Sequence, residues 1–320
     1  MLSIEKAEIR AGTKVLVRVD WNLPLTEAGT VADASRIEVS LKTIEYIKSK
    51  GGQPIIASHF GRQGDSLAPV INFAQNNYPA LAEGVEFLEN LRKNNGEEEN
   101  NEEFARELAG GADIYVNEAF SVSHRNHASI VSLPKFLPSF AGFRFLEECQ
   151  KLSEAFEPER PFLVIFGGAK LETKLPLVEK FLNIADSVFV GGAMVPKAME
   201  TGLDSNPKII LPLGDPQALD ANLETLKILE GKINEAKFVL WNGPLGNYEK
   251  GFVAGTVALA RILAESGVKT IVGGGDTLAA IKSVNIENKF YFVSMAGGAM
   301  LDFLANSTLP GIEALNSTQI

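Results

Sequence analysis

The residues best suited to chemistry form two sets, one cationic and one rich in glycine. In the first half, Arg18, Asp20, Asn22, Arg36, His59, Arg62, Arg92, His124 and Arg125 stand just beyond short apolar runs or at the start of the following helix. Arginine grips carboxylate and phosphate through a planar fork of donors. Any one of these arginines reads most simply as a surface ion pair; the set, recurring at equivalent places, reads as an anion pocket. His124 and His127 sit at i, i+3, yet no carboxylate or third histidine is placed to complete a metal site, so they read as ordinary hydrogen-bonding histidines. The second half carries five glycine corners: FGGAK at 166–170, VGGAM at 190–194, WNGPLG at 241–246, VGGGDT at 272–277 and AGGAM at 296–300. Glycine admits a ligand close to the backbone, and a helix N-terminus behind it offers free N–H groups to phosphate. Lys170 and Lys174 are four apart, so on one helix face both ammonium groups converge on one phosphate. Asp276, after the Gly-Gly-Gly corner, is a candidate Mg²⁺ ligand. Neither GxxxxGK[ST] nor GxGxxG is present. A cationic pocket in one half and a phosphate pocket in the other imply phosphoryl transfer with closure of the two halves.

Positioning such residues takes strands that end in register. Apolar runs bounded by turns lie at 15–19, 54–57, 85–88 and 114–116, then at 162–166, 187–190, 208–211, 238–241, 270–272 and 290–293. Continuous apolar runs suit strands buried on both faces, hence parallel sheets covered by helices. Ile37, Leu41, Ile44 and Ile47 make a helical stripe that stops at Gly51–Gly52. The expected fold is α/β, two doubly wound parallel-sheet (Rossmann-like) domains joined by a hinge helix. The expected boundaries are 1–146 plus 305–320 for the first domain, 147–157 for the connecting helix and 158–304 for the second. Pro158 and Pro161 stop that connector. The acidic stretch 97–103 reads as a solvated loop and helix start.

The chain has 320 residues, 45% of them apolar, which excludes disorder, collagen and coiled coil. Thirty Lys and Arg stand against forty Asp and Glu, a net charge of −10 that argues against a nucleic-acid binder. A single cysteine excludes an internal disulfide and a cysteine metal cage. MLSIEKAEIR carries charges where a signal peptide needs an apolar run, and no stretch approaches a membrane span, so a cytoplasmic protein without membrane contact is expected.

Nine segments in order resemble the phosphoglycerate kinase family across nearly the whole chain. They are RVDWNLP (18–24), SRIEVSLKTIEYI (35–47), SHFGR (58–62), LENLR (88–92), YVNEAFSVSHRNHAS (115–129), PFLVIFGGAKLETK (161–174), WNGPLGNYE (241–249), GGGDT (273–277) and LPGIEAL (309–315). The resemblance implies reversible phosphoryl transfer from 1,3-bisphosphoglycerate to ADP, giving 3-phosphoglycerate and ATP, by a monomer. It implies that Asp20, Asn22, Arg36, His59, Arg62, Arg92, His124 and Arg125 bind phosphoglycerate. Lys170, Lys174, Asn242, Glu249, Gly274, Gly275, Asp276 and Thr277 fall at nucleotide positions, with Mg²⁺ at Asp276. Arg36, Lys170 and Lys174 act on the group in transit. It also implies that LPGIEAL packs back on the first domain.

The chain departs from the family in identifiable places. It is shorter, notably across Gln63–Val85 and Val195–Leu213. Asn222 stands where the family has a glycine near adenine, and Met295, Ala296 and Met300 replace a Thr, a Gly and a Ser. Glu118 replaces an Asp, Ser121 a Gly and Gln63 a Pro. A catalytically weak relative that binds nucleotide or phosphoglycerate is the second reading. A dinucleotide oxidoreductase is the third, disfavoured by the missing GxGxxG.

Overall fold

Among the described residues, eleven strands form two wholly parallel sheets. The computed structural model describes residues 1–169 and 171–317, with the side chains of 171–173 outside the description. The chain divides into two compact units, Met1–Cys149 with Thr308–Ile320, and Gln150–Ser307. It passes from one to the other within the helix Phe143–Ser153.

The first unit contains β1 (Lys14–Arg18), β2 (Gln53–Ala57), β3 (Glu86–Phe87), β4 (Ile114–Asn117) and β5 (Ser139–Ala141), in the order β3-β2-β1-β4-β5. Four of these fall on the apolar runs visible in the sequence. β5 does not, because Ser-Phe-Ala is three residues with one large apolar side chain, squeezed between Pro138 and Gly142. The helix Ser35–Ser49 buries Ile37, Ile44 and Ile47 against this sheet, and Leu41 packs at the margin. The C-terminal helix Pro310–Ser317 belongs to this unit: Gly311 N–H donates to the Ser123 carbonyl at 2.9 Å.

The second unit contains β6 (Phe162–Phe166), β7 (Ser187–Val190), β8 (Ile209–Ile210), β9 (Phe238–Asn242), β10 (Lys269–Gly273) and β11 (Phe292–Ser294), in the order β11-β10-β9-β6-β7-β8. Every residue of β6 and β9 is buried, as continuous apolar runs require of central strands. The architecture is α/β, with two doubly wound parallel sheets. Strand order reverses between β1 and β4 in one sheet and between β6 and β9 in the other. Ligand crevices open at the carboxyl ends of strands flanking such a reversal. Register brings Arg18 level with Asn117 at the first crevice and Phe166 level with Asn242 at the second.

Candidate active site

The loops leaving β1, β2 and β4 meet around Asp20. Its carboxylate accepts from Arg36 Nη1 at 2.6 Å and from the Ser121 hydroxyl, with His59 Nδ1 at 3.8 Å. Burial alone would push this carboxyl up, but Arg36 first, then the Ser121 hydroxyl and Arg18, outweigh it and hold Asp20 below the ordinary value. Asn22 Oδ1 accepts from Gly61 N–H at 2.9 Å, pinning the β2 loop to the β1 loop. Arg92 donates to the Gly61 carbonyl at 2.5 Å, and its Nε pairs with Glu98 at 2.8 Å. Arg62 is exposed, and its guanidinium meets no carboxylate among the described residues. Arg125 and His124 are half-buried on the loop after β4. Burial first, then the neighbouring charge of Arg92, disfavours the Arg125 cation, the mark of positive charges crowded around one space. Burial and the cations of Arg18, Arg92 and Arg125 depress His59 to about 3, against the pull of Asp20. His59 is therefore neutral at any working pH.

Two expectations need correction here. Arg18, placed among the anion ligands by its position, is fully buried and has no face to offer a substrate. Its Nε donates to Ser129 Oγ at 3.0 Å, Nη1 to the Val19 carbonyl at 2.6 Å, and Nη2 meets His59 Nδ1 at 3.3 Å. The stretch 97–103 is not uniformly solvated either, because Glu97 is fully buried and pairs with Arg18 at 3.7 Å. It also accepts from Ser129 N–H at 2.9 Å and Ser129 Oγ at 2.6 Å. A glutamate in the run EEENNEE carries no local signal of burial; only the loop's return to Arg18 reveals it.

Glu118 caps the helix Phe143–Ser153. Its carboxyl accepts from Thr43 Oγ1 at 2.7 Å and from the N–H groups of Arg144 and Phe145 at 3.1 and 3.2 Å. Burial nevertheless pushes it up to about 7. A Cβ on Gly142 would lie 1.9 Å from Glu118 Oε2. Gly142→Ala is accordingly expected to destabilise the protein by about 2–4 kcal/mol in urea unfolding, through overpacking and a broken cap. Adding Glu118→Asp, one methylene shorter, should recover part of that loss; no recovery would show that the clash lies elsewhere.

In the second unit the loops after β6, β7 and β9 press backbone on backbone. A Cβ on Gly167 would lie 2.1 Å from the Pro244 carbonyl oxygen, and one on Gly243 would lie 2.3 Å from the Gly167 oxygen. These glycines serve the packing of corners on one another, whereas Gly275 has open space around it. Lys174 lies at this junction with its Nζ donating to the Gly167 carbonyl at 2.6 Å. It is 9% exposed, and burial lowers it to about 8 despite the carboxylate of Asp276. Gly274 caps and Gly275 opens the helix Gly275–Lys282, whose first turn carries Asp276. Thr277 is fully buried, and its Oγ1 accepts from Gly243 N–H at 3.1 Å, so it braces the corner. Asn242, also buried, donates from Nδ2 to Met300 Sδ at 3.6 Å. Glu249 and Asp276 line one cavity with Gly168, Ala169, Pro244 and Gly246. A narrow slot in the same unit is lined by Phe189, Gly192, Pro212, Leu213 and Leu245 together with Asp215, Asp220 and Asn222. Asn222 caps the helix Leu223–Glu235 and donates to the Leu213 carbonyl at 2.8 Å, so its amide is engaged in holding the slot's wall. Lys170 lies outside the described residues.

A model of the phosphoglycerate kinase family matches residues 4–206 and 208–307. The chain belongs to the phosphoglycerate kinase family. It is 36% identical to a phosphoglycerate kinase of Herpetosiphon aurantiacus, covering 96% of this chain and 97% of that one, and 34% identical to one of a Nostoc species, covering 98% of each. The first alignment runs over 381 positions against 320 residues here, so that phosphoglycerate kinase carries segments this chain lacks. The phosphoglycerate kinase structure of Coxiella burnetii superposes with a TM-score of 0.85 over 99% of both chains at 29% identity. That of Pyrococcus horikoshii superposes at 0.86 and 24% identity, a likeness of fold. Kinase function follows from family membership, and no helix among the described residues is long and apolar enough to cross a membrane.

Proposed function

We propose that the protein transfers a phosphoryl group reversibly between ATP and the C1 carboxylate of 3-phosphoglycerate, forming 1,3-bisphosphoglycerate and ADP. The observation that carries this reading is the pairing of a crowded cation cluster at one sheet reversal with a buried lysine at the other. In the proposed assignment Arg62, Arg92, Arg125 and His124 hold the phosphate end of phosphoglycerate. Asp20, Asn22 and His59 hold its hydroxyl and carboxylate, and Arg36 faces the group in transit. Lys174 and Lys170 grip the nucleotide phosphates, Glu249 meets the ribose and the slot beside Asn222 takes the base. Gly274 and Gly275 offer N–H groups to phosphate, with Asn242 and Thr277 supporting that corner.

A phosphoglycerate carboxylate oxygen attacks the γ-phosphorus, the bond to the β-phosphate bridging oxygen breaks, and ADP leaves with the electron pair. The nucleophile is already ionised at neutral pH, so no general base is needed. Alignment and neutralisation of the moving charge by Arg36 and the lysines carry the catalysis. Asp276 fits Mg²⁺ arriving with the nucleotide: it is one exposed carboxylate beside the phosphate cavity, and no cluster of three metal-ligating side chains exists among the described residues. Bound there, Mg²⁺ would neutralise phosphate charge. Because the two ligand sets lie in separate units, turnover requires the bound substrates to be brought together, with water excluded from the acyl phosphate.

ATP consumption dependent on 3-phosphoglycerate is the test. Turnover with 3-phosphoglycerate and none with glycerate is expected. ATP hydrolysis indifferent to the acid would contradict the reading.

A further inference from the structure

His59 is fixed from behind by a buried relay. Arg18 Nη2 lies 3.3 Å from His59 Nδ1, and a guanidinium has donors only. Nδ1 must then present its lone pair, and a neutral imidazole so placed carries its proton on Nε2. Nε2 is then the ring nitrogen that has a proton to donate. Arg18 is in turn held by Glu97, which stands on a different loop and also ties down the segment after Arg125 through both donors of Ser129.

We propose that Glu97 acts through Arg18 as a positioning residue that holds His59 as the neutral Nε2–H tautomer, making it a directed hydrogen-bond donor to the anionic substrate. This rests on the assignment of His59 to the phosphoglycerate subsite. Four charged groups face the ring: Arg18 behind it, Asp20 at 3.8 Å from Nδ1, and Arg92 and Arg125 beyond. Burial first, and then the three cations, oppose a second proton and outweigh Asp20, in keeping with the depression of His59 to about 3. A neutral donor suits a site already crowded with arginines, since a further cation would raise the repulsion without adding direction. His127, 3.8 Å from Glu97, is the only other histidine paired with the relay among the described residues.

The test begins with the unaltered protein, so it does not depend on a variant folding. Imidazole nitrogen NMR, with His59 assigned by its absence in His59→Gln, is expected to show the Nε2–H form unchanged between pH 5 and 8. An Nδ1–H form, or a midpoint near 6.5, overturns the proposal whatever the protein's activity. In Arg18→Lys, which keeps the charge but loses the fork, His59 is expected to lose its single tautomer. KM for 3-phosphoglycerate should then rise about tenfold while KM for ATP is unchanged. Glu97→Gln keeps an acceptor for Ser129 and should give the same split, with Glu97→Asp recovering part of it. Equal losses in both KM values, or a tautomer indifferent to both substitutions, would show the pair to be structural only. If the tautomer is as stated but 3-phosphoglycerate leaves the His59 signal unmoved, the subsite assignment fails and the relay stands.

Discussion

Lys174→Met is expected to abolish turnover while making the protein more stable. The ammonium is buried with one carbonyl acceptor, and its depression from 10.5 to about 8 measures the cost of charging it there. By linkage the folded state holds fewer protons than the unfolded chain between these values, so stability rises with pH through that window. Below pH 8 the buried charge disfavours folding by on the order of 3 kcal/mol. Methionine, similar in length and apolar, removes that cost and leaves the Gly167 carbonyl unpaired, for a net gain of about 1–2 kcal/mol. Losing the charge from the moving phosphoryl group should lower kcat by at least about a thousandfold. Denaturant unfolding at pH 7 checks the first effect and the kinase assay the second; a destabilised variant would contradict the burial argument. Phosphates restore the lysine's proton, so nucleotide binding should take up protons between pH 8 and 10.5 and weaken as pH rises through that range. Calorimetry in buffers of different ionisation enthalpy reads this directly.

Arg36→Ala is expected to hurt both activity and stability. The guanidinium is one-third exposed, but Asp20 beneath it is 8% exposed and depends on that 2.6 Å pair. Leaving such a carboxylate without its nearest cation is costly, and a loss of about 1–3 kcal/mol is expected at pH 7. Asp20 is held below its ordinary value in the folded state, so this contribution is lost as pH falls through that lowered value. The difference between Arg36→Ala and the unaltered protein should therefore shrink in acid. Turnover should fall by about 10²–10³, the usual effect of removing one donor to developing charge, while nucleotide affinity stays within about twofold. Weakened nucleotide binding with unchanged kcat would place Arg36 elsewhere.

Much of this arrangement is legible in the residues. Apolar runs mark the central strands because two-sided burial leaves no room for polar alternation, and the residues after each run are those that reach the crevices. Ser139–Ala141 escapes because three residues between Pro138 and Gly142 gain their strand character from pairing with β4 and with the N-terminal segment at Ser3. Arg18 and Asp20, two apart, would share a face of a continuing strand, yet β1 ends at Arg18, so one side chain goes inward to Glu97 and the other, on the loop, meets Arg36. Glycine corners are visible as glycine, but whether each makes room for a ligand or for another corner depends on pairing across β6 and β9. Met300, fully buried, has its sulfur against Gly273 and Asn242, a contact that no local pattern announces.

The most direct measurement traps the product. Acyl phosphates react with hydroxylamine to give hydroxamates, whereas phosphate esters do not. Incubating the protein with MgATP, 3-phosphoglycerate and hydroxylamine should yield ADP and the hydroxamate of 3-phosphoglycerate in equal amounts. Both should be absent without the acid and in Lys174→Met. ADP release without hydroxamate, or hydroxamate formation undiminished in Lys174→Met, would contradict the account.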